Sequence, residues 1–104
     1  MFDQCQYEFK NFDVPNDLMA FIKSVIERVQ NLSPSNAFLK THIFKNGSKF
    51  EGEIHVNSQA TTFKAIAHDA DPRELIMKLG GQIQNQLKNW KKFRFIKGDH
   101  SADL

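Results

Sequence analysis

Four histidines, one cysteine and a few paired carboxylates are the side chains of this 104-residue sequence whose chemistry reaches beyond folding. His42, His55 and His68 fall on three separate strand-like runs and His100 lies near the C-terminus. Their spacing matches no metal-ligand pattern, and no cysteine or carboxylate stands at a fixed offset to complete one, so no metal site is expected. Cys5 lies on the apolar side of an alternating segment and reads as a small hydrophobe. A single cysteine also excludes an internal disulfide framework. Glu51 and Glu53 share a strand face, as a general acid and base would, yet nothing around them would set their protonation apart. Gly80-Gly81 sits inside a helical pattern and lacks the Lys-Ser/Thr of a phosphate loop. No nucleophile, cofactor or small-molecule substrate is indicated, and the chain does not read as an enzyme.

The bases are more informative. From Leu75 to Gly98 there are six (Lys78, Lys88, Lys91, Lys92, Arg94, Lys97) and no acid, while the remaining eighty residues carry eight bases and twelve acids. A net charge of +2 conceals this asymmetry. One or two cations in the last turn satisfy a helix dipole. Five within the ten residues Lys88 to Lys97 exceed that need and form a pole that attracts polyanions. Composition is otherwise that of an ordinary globular protein, 40% hydrophobic and 25% charged. The length suits one domain, read as residues 1–97, followed by a short flexible tail, 98–104. No apolar run reaches the roughly 20 residues of a membrane span, and Met1-Phe2-Asp3-Gln4 does not open like a secretory signal, so a cytoplasmic location is expected.

The elements that must position these residues follow from periodicity. Gln4 to Phe12 alternates, with Cys5, Tyr7 and Phe9 on one face of a strand. A turn around Pro15 leads into a helix whose apolar stripe is Leu18, Phe21, Ile22, Val25, Val29 and Leu32. Ser33-Pro34-Ser35-Asn36 ends it. Three strand-like runs follow, Phe38 to Lys45, Lys49 to Asn57 and Ala60 to His68, the first two joined at Asn46-Gly47, which supplies positive φ angles for a tight hairpin. Phe38 and Phe44 share a parity opposite to Leu39 and Ile43, so one set faces the helices and the other an open sheet face. Core packing is expected to claim most of Phe38, Phe44, Phe50 and Phe63. Asp71-Pro72-Arg73-Glu74 then starts a helix, with the Asp71 carboxylate accepting from the Glu74 N–H and Glu74 reaching back. Its stripe is Leu75, Ile76, Leu79, Ile83, Leu87 and Trp90, ending near Phe93. Each of Gly80 and Gly81 costs about 1 kcal/mol in a helix interior relative to alanine, so a close neighbour or a bend is expected there. The order β-α-β-β-β-α makes an α+β two-layer sandwich, with both helices on one face of a four-stranded sheet.

That order, closing on a basic helix end, resembles the ribosome hibernation-promoting factors, also called ribosome-associated inhibitors or sigma-factor modulation proteins. Asp71 opens the helix as in that family, Leu75-Ile76 supply its apolar pair, and Ile83-Gln84-Asn85-Gln86-Leu87 reproduces its Leu-x-x-Gln-Leu segment at the same distance. Lys88 and Lys91 fall on positions that are basic there, and Phe63-Lys64-Ala65 is similar to its last-strand step. The chain departs from the pattern at Arg73, where an aromatic is usual, at Met77, which replaces an acid, and at Asn89, which replaces a lysine. Lys10-Asn11-Phe12 stands where a Gly-Arg follows the first strand, and the first helix has only Lys23 and Arg28 as bases. It resembles a divergent short form, without the extra C-terminal domain of long forms.

The resemblance implies binding to the small ribosomal subunit in the channel of mRNA and tRNA, and inhibition of translation by occlusion during stress. Phosphates of ribosomal RNA would meet Lys88, Lys91, Lys92 and Arg94, with Lys64, Lys23 and Arg28 in supporting positions. A double-stranded RNA-binding domain shares the helix, three strands and helix, but places its lysines at the start of the last helix, where this chain has Asp71-Pro72-Arg73-Glu74. From another class, a protein–protein adaptor would use the open sheet face or an edge strand.

Overall fold

The structure is a computed structural model that describes residues 4–59 and 61–101, with side chains as far as Lys92. The elements are β1 (Cys5–Lys10), α1 (Asn16–Leu32), β2 (Phe38–Asn46), β3 (Lys49–Asn57), β4 (Thr62–Asp69) and α2 (Pro72–Ser101). The sheet order is β1-β2-β3-β4, with β1 parallel to β2 and the other two pairs antiparallel. The parallel pair needs a crossover, which α1 provides. The expected β-α-β-β-β-α sandwich is the observed one.

Both helices bury one stripe against the same sheet face. Leu18, Ile22, Val25, Ile26 and Val29 of α1 and Leu75, Ile76, Leu79, Ile83 and Leu87 of α2 enclose the core with Leu39, Ile43, Ile54, Val56, Phe63 and Ala65 of the sheet. Burying one such aliphatic side chain contributes about 1.5–3 kcal/mol. Ile26 belongs to the stripe although the spacing argument passed over it. Phe21 and Leu32 are only partly buried at its margins. Two glycines set how closely the layers approach. A Cβ on Gly52 of β3 would lie 2.9 Å from Leu79 Cδ1, and one on Gly80 would lie 2.7 Å from Val25 Cγ1. Of the close neighbour or bend expected at Gly80-Gly81, the structure shows a close neighbour at Gly80, where the two helices approach. Gly81 has nothing within 4 Å of its Cβ position.

Parity on β2 resolves in favour of Leu39 and Ile43 as core residues. Phe38 and Phe44 lie on the open face, where the Phe44 ring packs 5.4 Å from His42. Of the four strand phenylalanines, Phe63 is buried and Phe50 packs against the core margin. The expectation that the core claims most of them is corrected to two, because β2 offers the helices only its odd-numbered positions.

Three local details differ from expectation. The hairpin loop is Gly47-Ser48, since Asn46 still pairs with Lys49, so only Gly47 needs a positive φ, 65°. At the start of α2 the Asp71 carboxylate accepts from the Arg73 N–H at 2.9 Å instead of from Glu74. The Asp71 N–H that Glu74 was expected to cap is taken by Asp69 Oδ1 at 3.0 Å. The third is length: α2 runs to Ser101, past the expected end near Phe93. Asn11, in the turn after β1, adopts φ 66°, a left-handed conformation that asparagine tolerates better than most non-glycine residues.

Candidate nucleic-acid interface

Helix α2 runs back along β4 and is fastened to it at three levels. Near its start, Lys78 Nζ lies 2.8 Å from Asp69 Oδ2 and donates to the His68 carbonyl at 3.2 Å. In its middle, Gln86 Nε2 donates to the Lys64 carbonyl at 2.8 Å while Gln86 Oε1 accepts from the Lys64 N–H at 3.4 Å. Further on, the Trp90 ring meets Phe63 edge to face, centroids 5.9 Å apart. Eight residues of β4 span about 26 Å. Thirty residues of α2 span about 45 Å, so beyond Trp90 roughly 16 Å of helix projects past the end of β4. The longest dimension of the molecule, 51 Å, reflects that projection.

The basic segment sits at this junction. Lys88 and Lys92 are exposed and Lys91 is half-buried. At 100° per residue the three fall within an arc of about 100°, turned away from the Leu87–Trp90 stripe. Arg94, like Lys97 and His100, carries a side chain that lies outside the described residues. Lys78, the sixth base of the acid-free stretch, is committed to Asp69. The other sequence candidates are dispersed. Lys64 is exposed on the open sheet face, in a cross-strand row with Gln6, Lys40 and His55. Lys23 and Arg28 lie about 140° apart around α1. Arg28 borders the groove between the helices, and Lys23 is exposed on the other flank.

The open sheet face, the surface that a protein–protein adaptor would use, is mixed in charge. Its central row is Glu8, His42, Glu53 and Ile66, and the next is Lys10, Phe44, Glu51 and His68. His55 Nε2 lies 2.7 Å from Glu53 Oε1. That hydrogen bond holds the Glu53 carboxyl below its ordinary range, opposed by partial burial and assisted by the charges of His55, Lys64 and His42. Among the described residues no three His, Cys, Asp or Glu side chains converge to hold a metal ion, and no helix is long and apolar enough to cross a membrane. Strand periodicity groups residues within one strand, Glu51 with Glu53 for example, and leaves open which groups share a face across strands. The cross-strand register, which sequence spacing leaves open, brings the histidines beside the carboxylates.

Compared by sequence, the chain matches no protein-family model and no curated protein. Compared by structure, it is similar to the Protein Y N-terminal domain of Thermus thermophilus, with a TM-score of 0.72 and 16% identity over 82% of this chain and 94% of that one. It is also similar to a ribosomal subunit interface protein from Coxiella burnetii, with a TM-score of 0.68 and 15% identity over 85% of this chain and 98% of that one. The resemblance to ribosome hibernation-promoting factors is thereby borne out at the level of the fold.

Proposed function

We propose that this protein is a ribosome-associated translation inhibitor of the cytoplasm that binds the small ribosomal subunit and occludes the mRNA and tRNA channel. The observation that carries this reading is the acid-free stretch of α2 from Leu75 to Gly98, with Lys88, Lys91 and Lys92 displayed where the helix leaves the sheet. Lysine ammoniums on a helix surface meet phosphates as point charges, so recognition rests on the shape of folded RNA more than on base sequence. The acidic remainder of the chain is repelled by RNA and orients the basic end inward. The similarity to a ribosomal subunit interface protein supports the choice of partner. The mechanism is steric, with no bond made or broken. Arg94 is the fourth phosphate contact of this reading, with Lys64, Lys23 and Arg28 as peripheral contacts.

Co-sedimentation with purified small subunits tests it. Pelleting at low salt with release at high salt is expected, because each neutralised phosphate releases counterions. A protein that stays in the supernatant at every salt concentration refutes the reading. A protein–protein adaptor has one observation in its favour, the exposed Ile66 on the open sheet face. Such binding would depend little on salt.

A further inference from the structure

The groove between the two helices has a composition that packing does not explain. Phe21, Val25 and Arg28 line it from α1, and Met77, Gly80, Gly81 and Gln84 from α2. Phe21, Val25 and Arg28, like Met77, Gly81 and Gln84, recur at i, i+4 and i+7, so each set is one stripe and the two stripes face each other. Gly80 is accounted for by Val25. Gly81 is not: it is exposed, its Cβ position is open, and a mid-helix glycine lowers helix stability for no packing gain. Met77, beside it, is 58% exposed, one of two large hydrophobic side chains so placed among the described residues. The ion pairs of the described residues are Lys10–Glu8, His55–Glu53, Arg73–Asp17 and Lys78–Asp69, and Arg28 takes part in none. At one end Arg73 lies over the Phe21 ring, 5.3 Å from its centroid, and is tied to Asp17 at 2.8 Å, which fixes that wall.

We propose that this groove receives one unstacked nucleotide of ribosomal RNA, its base between Met77 and Phe21 over the bare backbone of Gly81, and its phosphate on Arg28. Glycine here admits a flat ring to the helix backbone, a use of the residue that a side chain would prevent. The thioether of Met77 and the ring of Phe21 offer dispersion contacts to a base, and the Gln84 amide offers a donor and an acceptor to its edge. The groove's volume of about 220 Å³ is below that of sites for drug-sized ligands and suits a single ring system. A guanidinium without a carboxylate partner complements a phosphate. The inference rests on the ribosome reading and adds a base-binding site to it, separate from the lysines of the α2 end.

The test uses Gly81→Leu, which fills the groove with a good helix former, and Arg28→Gln. Amide shifts are followed by NMR on adding a single-stranded RNA hexamer, and each variant is then co-sedimented with small subunits. Saturable shifts at Gly80, Gly81 and Gln84 are expected for the wild type, lost in Gly81→Leu and weakened in Arg28→Gln. Subunit affinity is expected to fall about tenfold in Gly81→Leu, within the range for losing one base contact. Absent hexamer shifts, or shifts that persist in Gly81→Leu, overturn the proposal. So does a photo-crosslinker at position 77 that labels ribosomal protein and no RNA. Wild-type protein that fails to pellet refutes the ribosome reading by itself, while the hexamer shifts still decide whether the groove takes a nucleotide.

Discussion

Gln86 of α2 treats Lys64 of β4 as a neighbouring strand would, donating to its carbonyl at 2.8 Å and accepting from its N–H at 3.4 Å. β4 is an edge strand, and its outward backbone groups are a template for pairing with another chain. One side-chain amide satisfies two of them at once, which a carboxylate or an aliphatic residue cannot do. The same contact sets the register of α2 on the sheet, so that Trp90, one turn later, meets Phe63 and the lysines emerge beyond it.

Gln86→Leu keeps helix propensity and removes both bonds. A loss of about 1–2 kcal/mol is expected from urea unfolding, as for two exposed hydrogen bonds. Self-association is expected to rise in sedimentation velocity, because the β4 edge is uncovered. Gln86→Glu, which still accepts from the N–H but no longer donates, should fall between the two. A Leu variant as stable and as monomeric as the wild type would show that the edge is covered by other means.

The two glycines of α2 should respond to alanine with opposite signs. At Gly81 the new methyl meets nothing within 4 Å, and the helix gains about 1 kcal/mol. At Gly80 the methyl would lie 2.7 Å from Val25 Cγ1, so the helices must separate or Val25 must change rotamer. Overpacking of this kind costs about 1–3 kcal/mol, more than the propensity gain. Paired thermal melts of Gly80→Ala and Gly81→Ala check this, and a shared sign would contradict the packing.

Periodicity and punctuation made most of the fold legible. Strand alternation placed Cys5, Tyr7 and Phe9 on one face of β1, and the 3.6-residue stripe of α2 located its buried face. What stayed hidden depends on contacts between elements distant in sequence. Whether Leu39 or Phe38 faces the helices is fixed by which side α1 crosses, a long-range choice. Gly52 reads as a weak strand residue until Leu75 and Leu79 are seen to occupy the space of its missing Cβ. Glu74 does not reach back to cap the Asp71 N–H, which Asp69, two residues upstream, already holds. The basic end of α2 was visible as a run of charge, whereas Arg28's place in the interhelical groove required the helix pairing itself.

Stability at acid pH should carry the signature of Asp69. Its carboxyl is held below its ordinary value of 3.8, chiefly by the hydrogen bond from Lys78 and next by the Asp71 N–H. A carboxylate depressed in the folded state contributes stability that is fully present above its unfolded value and is lost as pH falls through the folded one. The contribution therefore persists at neutral pH, begins to fall near the ordinary value of 3.8 and is lost only below the depressed folded value. Asp69→Asn is expected to be less stable than the wild type at pH 7, with the gap narrowing as pH falls below 3.8. Urea midpoints across that range check it. A gap that does not change with pH would assign the role of Asp69 to its backbone geometry and not to its charge.

Charge reversal at Lys91 and Lys92 separates folding from binding. Glutamate matches lysine in helix propensity, Lys92 is exposed and Lys91 half-buried, so circular dichroism and the melting midpoint should barely move. If both lysines neutralise phosphates, the logarithmic salt dependence of subunit binding should flatten by about 1.4 to 1.8, at roughly 0.7–0.9 per contact. Lys45→Glu, at the hairpin on a different part of the surface, is the control and should leave the slope unchanged. Affinity should fall for Lys91→Glu/Lys92→Glu at low salt and converge with the wild type as salt rises, because only the electrostatic share is removed. Equal losses at all salt concentrations would mean that the double variant has disturbed the Trp90–Phe63 junction, and an unchanged affinity would remove the end of α2 from the interface.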